Sequence, residues 1–167
     1  MSATISDEQL AARELVHSWA AGSGSIAAVR DVEGGSAQAW HPVYRGLVDL
    51  GLFGVAVAEE AGGAGGSVLD LCVMVEEAAR ALVPGPIATT ALATLVVTDP
   101  AILDALATGR TAGAALDADL HDDAGRVSGT AEYVLGADAA GLLLLPVDDR
   151  VVLVDAAGEG VTVQPLA

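Results

Sequence analysis

Apolar residues recur at three- and four-residue spacing through roughly the first hundred positions, then change to short β-rich runs. Ser6 opens an S-x-x-Q capping box in "SDEQ", with Ile5 and Leu10 at the staple positions and Leu10, Leu15 and Trp19 as a coarse apolar stripe. That helix stops in "AAGSGS", and residues 22–37 read as a connection of small residues. A second helix starts in "WHPVYRGLVDLG", with Pro42 at its first position, Val43, Leu47 and Leu50 at helical spacing, and Gly51 as the stop. "LFGVAV" reads as an extended link into the glycine run "GGAGG" at 62–66. "SVLD" at 67–70 caps a third helix, with Asp70 as its third residue and Val68, Leu71, Cys72, Val75, Ala79 and Leu82 on one face. "VPGP" ends it. A fourth helix spans 87–97, and Asp99-Pro100 caps a short fifth one, closed by Gly109. Beyond it, "AGAAL", "RVSGTAEYV", "LLLLPV", "RVVLVDA" and "VTVQPL" read as strands, with a hairpin about Asp148-Asp149. The expected fold class is α+β: a helical bundle domain over 1–110, then an antiparallel β-domain over 111–167.

Composition narrows the function. Apolar residues make up 53 % and aromatics 3 %, so a sizeable core must be built from Ala, Val and Leu. A formal charge of −16 argues against phosphate backbones and anionic membrane surfaces as partners. With seven arginines and no lysine, the chain has no Walker-type lysine, Schiff base or lysine general base. The Arg-over-Lys and Ala/Gly/Val bias is that of a high-GC bacterial genome. Cys72 is the sole cysteine, which leaves no internal disulfide and no cysteine metal cluster. Neither a signal peptide nor an apolar run of about 18 residues is present, so a cytoplasmic, soluble chain is expected.

Local chemistry is sparse. "GGAGG" precedes a helix N-terminus but fits neither GxxxxGK[ST] nor G-x-G-x-x-G, so a tight turn is expected rather than a phosphate cradle. Glu59 and Glu60 read as solvated, and Glu76 can pair with Arg80 at i,i+4. Asp117, Asp119, Asp122 and Asp123 around His121 read as an exposed acidic turn; their spacing is not an EF-hand. His17 and His41 have no partner at a recognisable spacing, and Thr89, Thr90 and Thr94 suit back-bonding to their own helix.

The larger pattern resembles the N-terminal half of the acyl-CoA dehydrogenase family. "LVDLGLFGVAVAEEAGGAGGS" is similar to its L-x-x-x-G-x-x-G-x-x-x-P-E-E-x-G-G-x-G run, and "LDLCVMVEEAARALVPGP" to the following helix with E-E-x-x-R-x-L. "ATGRTAGAAL" resembles the passage into the middle β-domain, and "VSGTAEYVLGADAAGLLLLPV" its G-x-K-x-[FW]-I-T-N-x-x-x-A-D-x-x-L-V strands. The resemblance implies FAD-dependent α,β-dehydrogenation of acyl-CoA thioesters, in which a glutamate takes the α-proton and the flavin accepts the β-hydride. It also implies a C-terminal four-helix domain, which carries that glutamate and is absent here, so no residue of this chain inherits the catalytic role.

Departures from the family run point to an eroded flavin site. Where T-E-P-x-x-G-S-D should follow "GAAL", the chain reads "DADLHDDAGRVSG"; Ala131 replaces the lysine of G-x-K. The W-I-T position holds Tyr133, Val134 and Leu135: Tyr133 could pack on the isoalloxazine, but Leu135 lacks the hydroxyl that bonds flavin. Such erosion resembles the less catalytic subunit of actinobacterial α2β2 enzymes, many of which act on steroid side-chain CoA esters. The implied cofactor is FAD shared with or supplied by a partner, and the implied partner is a homologous dehydrogenase subunit or a second copy. The implied acyl-pocket positions are Ile87, Thr90, Ala91 and Thr94. One alternative is a non-catalytic partner that only stabilises a catalytic homologue; another is a different oxidase chemistry on the same fold. A β-domain ending after about five strands leaves an open edge and uncovered apolar faces. The isolated chain is therefore expected to dimerise or aggregate unless another polypeptide covers it; light scattering from a stable monomer would contradict this.

Overall fold

Three helix starts are fixed by side chains that satisfy otherwise orphaned N–H groups. In the computed structural model, which describes residues 5–164, Ser6 Oγ accepts from Gln9 N–H (3.2 Å) while Gln9 Oε1 accepts from Ser6 N–H (3.0 Å). This box opens α1 (Asp7–Ala20). Ser67 and Asp70 form the same reciprocal pair at the start of α4 (Val68–Arg80). Asp99 Oδ1 accepts from Ala101 and Ile102 N–H at the head of α6 (Pro100–Ala107). Between these lie α2 (Ser25–Glu33), α3 (His41–Asp49) and α5 (Ile87–Val96). No described helix is long and apolar enough to cross a membrane.

The helices belong to one compact unit that closes at Gly109; a second begins at Arg110. In the helical unit, Trp40, Tyr44 and Phe53 pack in succession, with ring centroids 5.3 Å and 5.1 Å apart. Val16, Leu47, Leu52, Leu71 and Leu106 are buried in the same unit. At Gly85 the chain passes close to the rings: its φ is +114°, and a Cβ there would lie 2.8 Å from Trp40 Cε3.

Several expectations need correction here. The supposed connection over 22–37 contains α2, which starts on a left-handed Gly24 without a side-chain cap and buries only Ser25 and Ala28, so it carries no capping or periodic signal. His41 precedes Pro42 in α3, and Leu52–Gly54 is a 3-10 turn rather than an extended link. On α4 the buried residues are Leu71, Val73, Met74, Glu77 and Ala78, whereas Val68, Cys72 and Leu82 are exposed. Both sides of α4 carry apolar residues, so periodicity placed Leu71 correctly but not the rest of the buried face.

The second unit is a mixed arrangement. Its strands are β1 (Ala112–Ala114), β2 (Asp119–Asp123), β3 (Arg126–Thr130), β4 (Leu142–Val147) and β5 (Arg150–Asp155). They form a sheet of order β1-β4-β5 and a separate β2–β3 hairpin. β4 and β5 are antiparallel, but β1 runs parallel to β4, a departure from the purely antiparallel expectation. Ala115, Leu143 and Leu145 form its core with Leu120, Val134, Val152 and Val154 against them. The acidic segment around His121 is strand β2, not a turn: Asp119, His121 and Asp123 face outward while Leu120 and Asp122 are half-buried. β3 ends at Thr130, so 131–134 are not its continuation. Of "VTVQPL", residues 161–164 form no strand and the remainder lies outside the described residues.

Replacing Gly85 by Ala is expected to destabilise the chain by about 2–4 kcal/mol, because a side chain meets both an unfavourable φ and the Trp40 ring. Urea unfolding followed by tryptophan fluorescence measures this; a loss below about 1 kcal/mol contradicts the close approach.

Candidate functional site

The α5 positions Ile87, Thr90, Ala91 and Thr94 share one face, and that face is buried in the helical unit. Thr90 Oγ1 accepts from the Tyr44 hydroxyl at 3.2 Å, and burial pushes the Tyr44 phenol up to about 12. Thr94 donates to Ala91 C=O at 2.8 Å and Thr89 to Pro86 C=O at 3.2 Å. These hydroxyls are thus bonded inside the unit. The outward side of α5 is Ala88, Leu92, Leu95 and Val96, and the helix carries no charged residue at all.

In the β unit, Tyr133, Val134 and Leu135 take three environments. Tyr133 is 71 % exposed and has φ of +55°, a left-handed conformation uncommon for a bulky residue. Val134 packs against Ala115, Leu143 and Leu145. Leu135 exchanges two backbone hydrogen bonds with Ala114, at 2.9 and 3.0 Å, and leaves its side chain 55 % exposed. Leu116 is 81 % exposed. Residues 115–118 alone connect β1 to β2, too few for the family's long flavin loop.

Tyr133, Leu135 and Leu116 are each exposed and apolar in body, and no hydroxyl stands at Leu135. The glycine loop offers nothing to a phosphate either. The N–H groups of Gly63, Ala64, Gly65 and Gly66 donate to the carbonyls of Ala58, Gly54, Val57 and Val55. Gly63 and Gly66 sit so close to Val57 and Val55 that side chains there would overlap them. The loop is architecture that brings α4 beside the Leu52–Gly54 turn.

The aspartates near His121 do not converge. Asp122 pairs with Arg150 and accepts from Gly125 N–H at 2.7 Å, while His121 lies 3.6 Å from Asp119. Among the described residues, no group of three or more His, Cys, Asp or Glu side chains is placed to hold a metal.

Sequence reasoning missed a set of polar contacts between α1 and α4. Gln9 Nε2 donates to Asp70 Oδ1 at 3.0 Å, Arg13 lies 3.6 Å from Glu76, and His17 Nδ1 is 2.8 Å from Glu77 Oε1. The partners are about sixty positions apart, so no spacing rule reveals them. The hydrogen bond to Glu77, then its charge, holds the His17 imidazole above its usual value. Glu76 also pairs with Arg80 at 2.6 Å, as the i,i+4 spacing implied, and Arg80 holds its carboxyl below the usual range.

The sequence matches the family model "Acyl-CoA dehydrogenase, N-terminal domain" over residues 6–106. It is 56 % identical over 177 residues to acyl-CoA dehydrogenase FadE34 of Mycobacterium tuberculosis (strain ATCC 25618 / H37Rv), covering 99 % of this chain and 25 % of that protein. A solved variant of the Tcur3481-Tcur3483 steroid ACAD is 26 % identical with a TM-score of 0.76, covering 94 % of this chain and 50 % of the solved one. An acyl-CoA dehydrogenase complexed with FAD from Bacillus anthracis shares the fold, with 18 % identity and a TM-score of 0.75, covering 99 % of this chain and 34 % of its own. The chain therefore spans a quarter to a half of the length of these relatives.

Tyr133→Gly is expected to stabilise the isolated chain by about 0.5–1 kcal/mol, because glycine removes the left-handed Cβ penalty and little burial is lost. Denaturation followed by far-ultraviolet circular dichroism tests it; a destabilised variant means Tyr133 packs more tightly than its exposure indicates.

Proposed function

The chain belongs to the acyl-CoA dehydrogenase family, and from that premise we propose that it contributes acyl-pocket walls and subunit contacts to an FAD-dependent dehydrogenase. The observation that carries this reading is α5. A helix without charge, whose outward side is Ala88, Leu92, Leu95 and Val96, suits contact with an acyl chain and is poorly suited to water. Ile87, Thr90, Ala91 and Thr94 then form the back of that wall and set its roll through the Tyr44–Thr90 hydrogen bond. The likeness to a steroid ACAD supports a bulky steroid side-chain CoA ester as the substrate.

We assign no general base to this chain. Bound FAD would supply hydride acceptance. This chain's part would be Tyr133 and Leu135, with Leu116, giving an apolar face to the ring and excluding water from it, while Val134 anchors that segment in the β core. The polar contacts to the cofactor would come from a homologous partner subunit, because Leu135 and the short β1–β2 connection offer none. The likeness to a two-component enzyme supports such a partner. The same two features favour a second reading, in which the chain only stabilises a catalytic homologue.

Co-expression with a glutamate-bearing dehydrogenase homologue separates the two. For the wall reading, the purified pair is yellow and reduces an electron acceptor with acyl-CoA. Leu95→Trp, at a site 38 % exposed, then shifts preference toward shorter acyl chains by about tenfold in kcat/KM without loss of fold. An unchanged chain-length profile favours the stabilising reading.

A further inference from the structure

The pair α1–α2 is held to the rest of its unit with little apolar burial. On α1 the buried side chains are Gln9 and Val16, and on α2 they are Ser25 and Ala28. Leu10, Leu15 and Ile26 face outward at 48 %, 48 % and 56 % exposure. Trp19 adds one apolar contact over Gly46 of α3. Ala12 and Ala20 of α1 and Val29 and Val32 of α2 are half-buried. The polar attachments lie on one ridge of α1: Gln9, Arg13 and His17, each reaching α4.

These three ties answer differently to protons. Gln9 does not titrate, and its acceptor Asp70 is held ionised below the usual carboxyl range by the backbone and hydroxyl of Ser67 and by Gln9 itself. Glu76, the partner of Arg13, is also held below its usual range, chiefly by its hydrogen bond to Arg80. His17 alone among them changes charge near neutrality. Its imidazole is two-thirds exposed, whereas the Glu77 side chain is only 10 % exposed. Protons thus exchange with solvent at His17, while the charge that loses its counterion sits in the protein. Beside the pair, the C-terminal end of α1, the first turn of α2 and α4 enclose an open groove of about 580 Å³.

We propose that the His17–Glu77 contact is a proton-operated latch for the α1–α2 pair, closed on α4 when His17 is protonated and loosened when it is neutral. The groups around it are Glu14 from α1 and Glu77 and Arg80 from α4, with Arg13 and Glu76 one turn away; α2 brings only Ser25, Ile26 and Ala27 to the groove, none of them charged. Arg80 is hydrogen-bonded to Glu76 at 2.6 Å and reaches Glu77 only through its charge, so the imidazolium is the cation that hydrogen-bonds Glu77. Neutral His17 can still donate from Nδ1 in one tautomer, so what disappears is the charge assistance rather than the whole contact. His17 is raised in the folded chain. The latch is therefore complete below the unfolded value of 6.5 and weakens as pH rises through the raised folded value.

Hydrogen exchange of the whole chain, corrected for intrinsic rates and followed by mass spectrometry from pH 6 to 9, tests this. Protection of α1 and α2 should fall by about three- to tenfold across that range while α5 keeps its own. In His17→Gln and Glu77→Gln the protection should be pH-independent, and in Arg13→Gln it should be lower but retain the wild-type pH response. The midpoint of opening should coincide with the His17 ring titration read by NMR in the wild-type chain, a comparison that stands even where a variant does not fold. The proposal is overturned if His17→Gln keeps the wild-type pH response, if α5 loses protection in step with α1, or if the two midpoints differ.

Discussion

Tyr44 stands between Trp40 and Phe53, with ring centroids 5.3 and 5.1 Å away, and its hydroxyl reaches Thr90 on α5. With aromatics at 3 % of the chain, this cluster concentrates much of the large-ring burial available to it. Its geometry requires a residue without a side chain at 85, where φ is +114° and the Trp40 ring leaves no room for a Cβ. The roll of α5 follows from that contact. Once Thr90 faces Tyr44, Ile87, Ala91 and Thr94 must also turn inward, and Ala88, Leu92, Leu95 and Val96 must turn out. The uncharged outer side of α5 is thus a consequence of packing at the opposite side of the helix.

Features encoded locally were legible in the sequence. The Ser6–Gln9 and Ser67–Asp70 boxes and the Asp99 cap depend on residues two or three positions apart, and each appears where the spacing put it. Features decided by tertiary competition were not. On α4, Val68, Leu71, Cys72, Val75, Ala79 and Leu82 form an apolar stripe, yet of these only Leu71 is buried, and the core takes Val73, Met74, Glu77 and Ala78 instead, with α1 supplying His17 to the Glu77 carboxylate. Strand β2 was hidden by its aspartates; what makes it a strand is pairing with β3, with Leu120 turned to the inner side. Of the candidate site, Ile87, Thr90, Ala91 and Thr94 share one face of α5 by spacing alone, but which way that face turns depends on Tyr44, forty-six positions away.

Two bulky residues, Leu82 and Tyr133, are left-handed, with φ of +53° and +55°, and both are largely exposed. Each combines a backbone cost with apolar surface left in water. Leu82 occupies the C′ position of α4, where glycine is usual: its N–H donates to Ala79 C=O, and the N–H of buried Val83 donates to Ala78 C=O. The helix end is therefore closed by backbone hydrogen bonds and Val83 burial, and the Leu82 side chain adds little to either. Tyr133 is similar: the neighbouring Val134 anchors the segment in the β core and Leu135 pairs with Ala114, so the ring is displayed by contacts that its neighbours make.

The helical and β units arrive by different routes at the same division of labour. In the first, polar groups are consumed internally: the threonine hydroxyls of α5 by Tyr44 and backbone carbonyls, and the loop N–H groups of 63–66 by the carbonyls of 54–58. In the second, Asp122 is taken by Arg150 and Asp155 by Arg110, while the surface at Leu116, Tyr133 and Leu135 is apolar. A general base needs a carboxylate or imidazole aimed into a cleft with its proton affinity tuned for the task. Here the short polar pairs are made within α4 (Arg80–Glu76), between α1 and α4 (His17–Glu77) and inside the β unit (Arg110–Asp155, Asp122–Arg150), and the outward side of α5 and the surface at Leu116, Tyr133 and Leu135 are apolar. Surfaces of this kind suit the pocket-wall and partner-contact role proposed above.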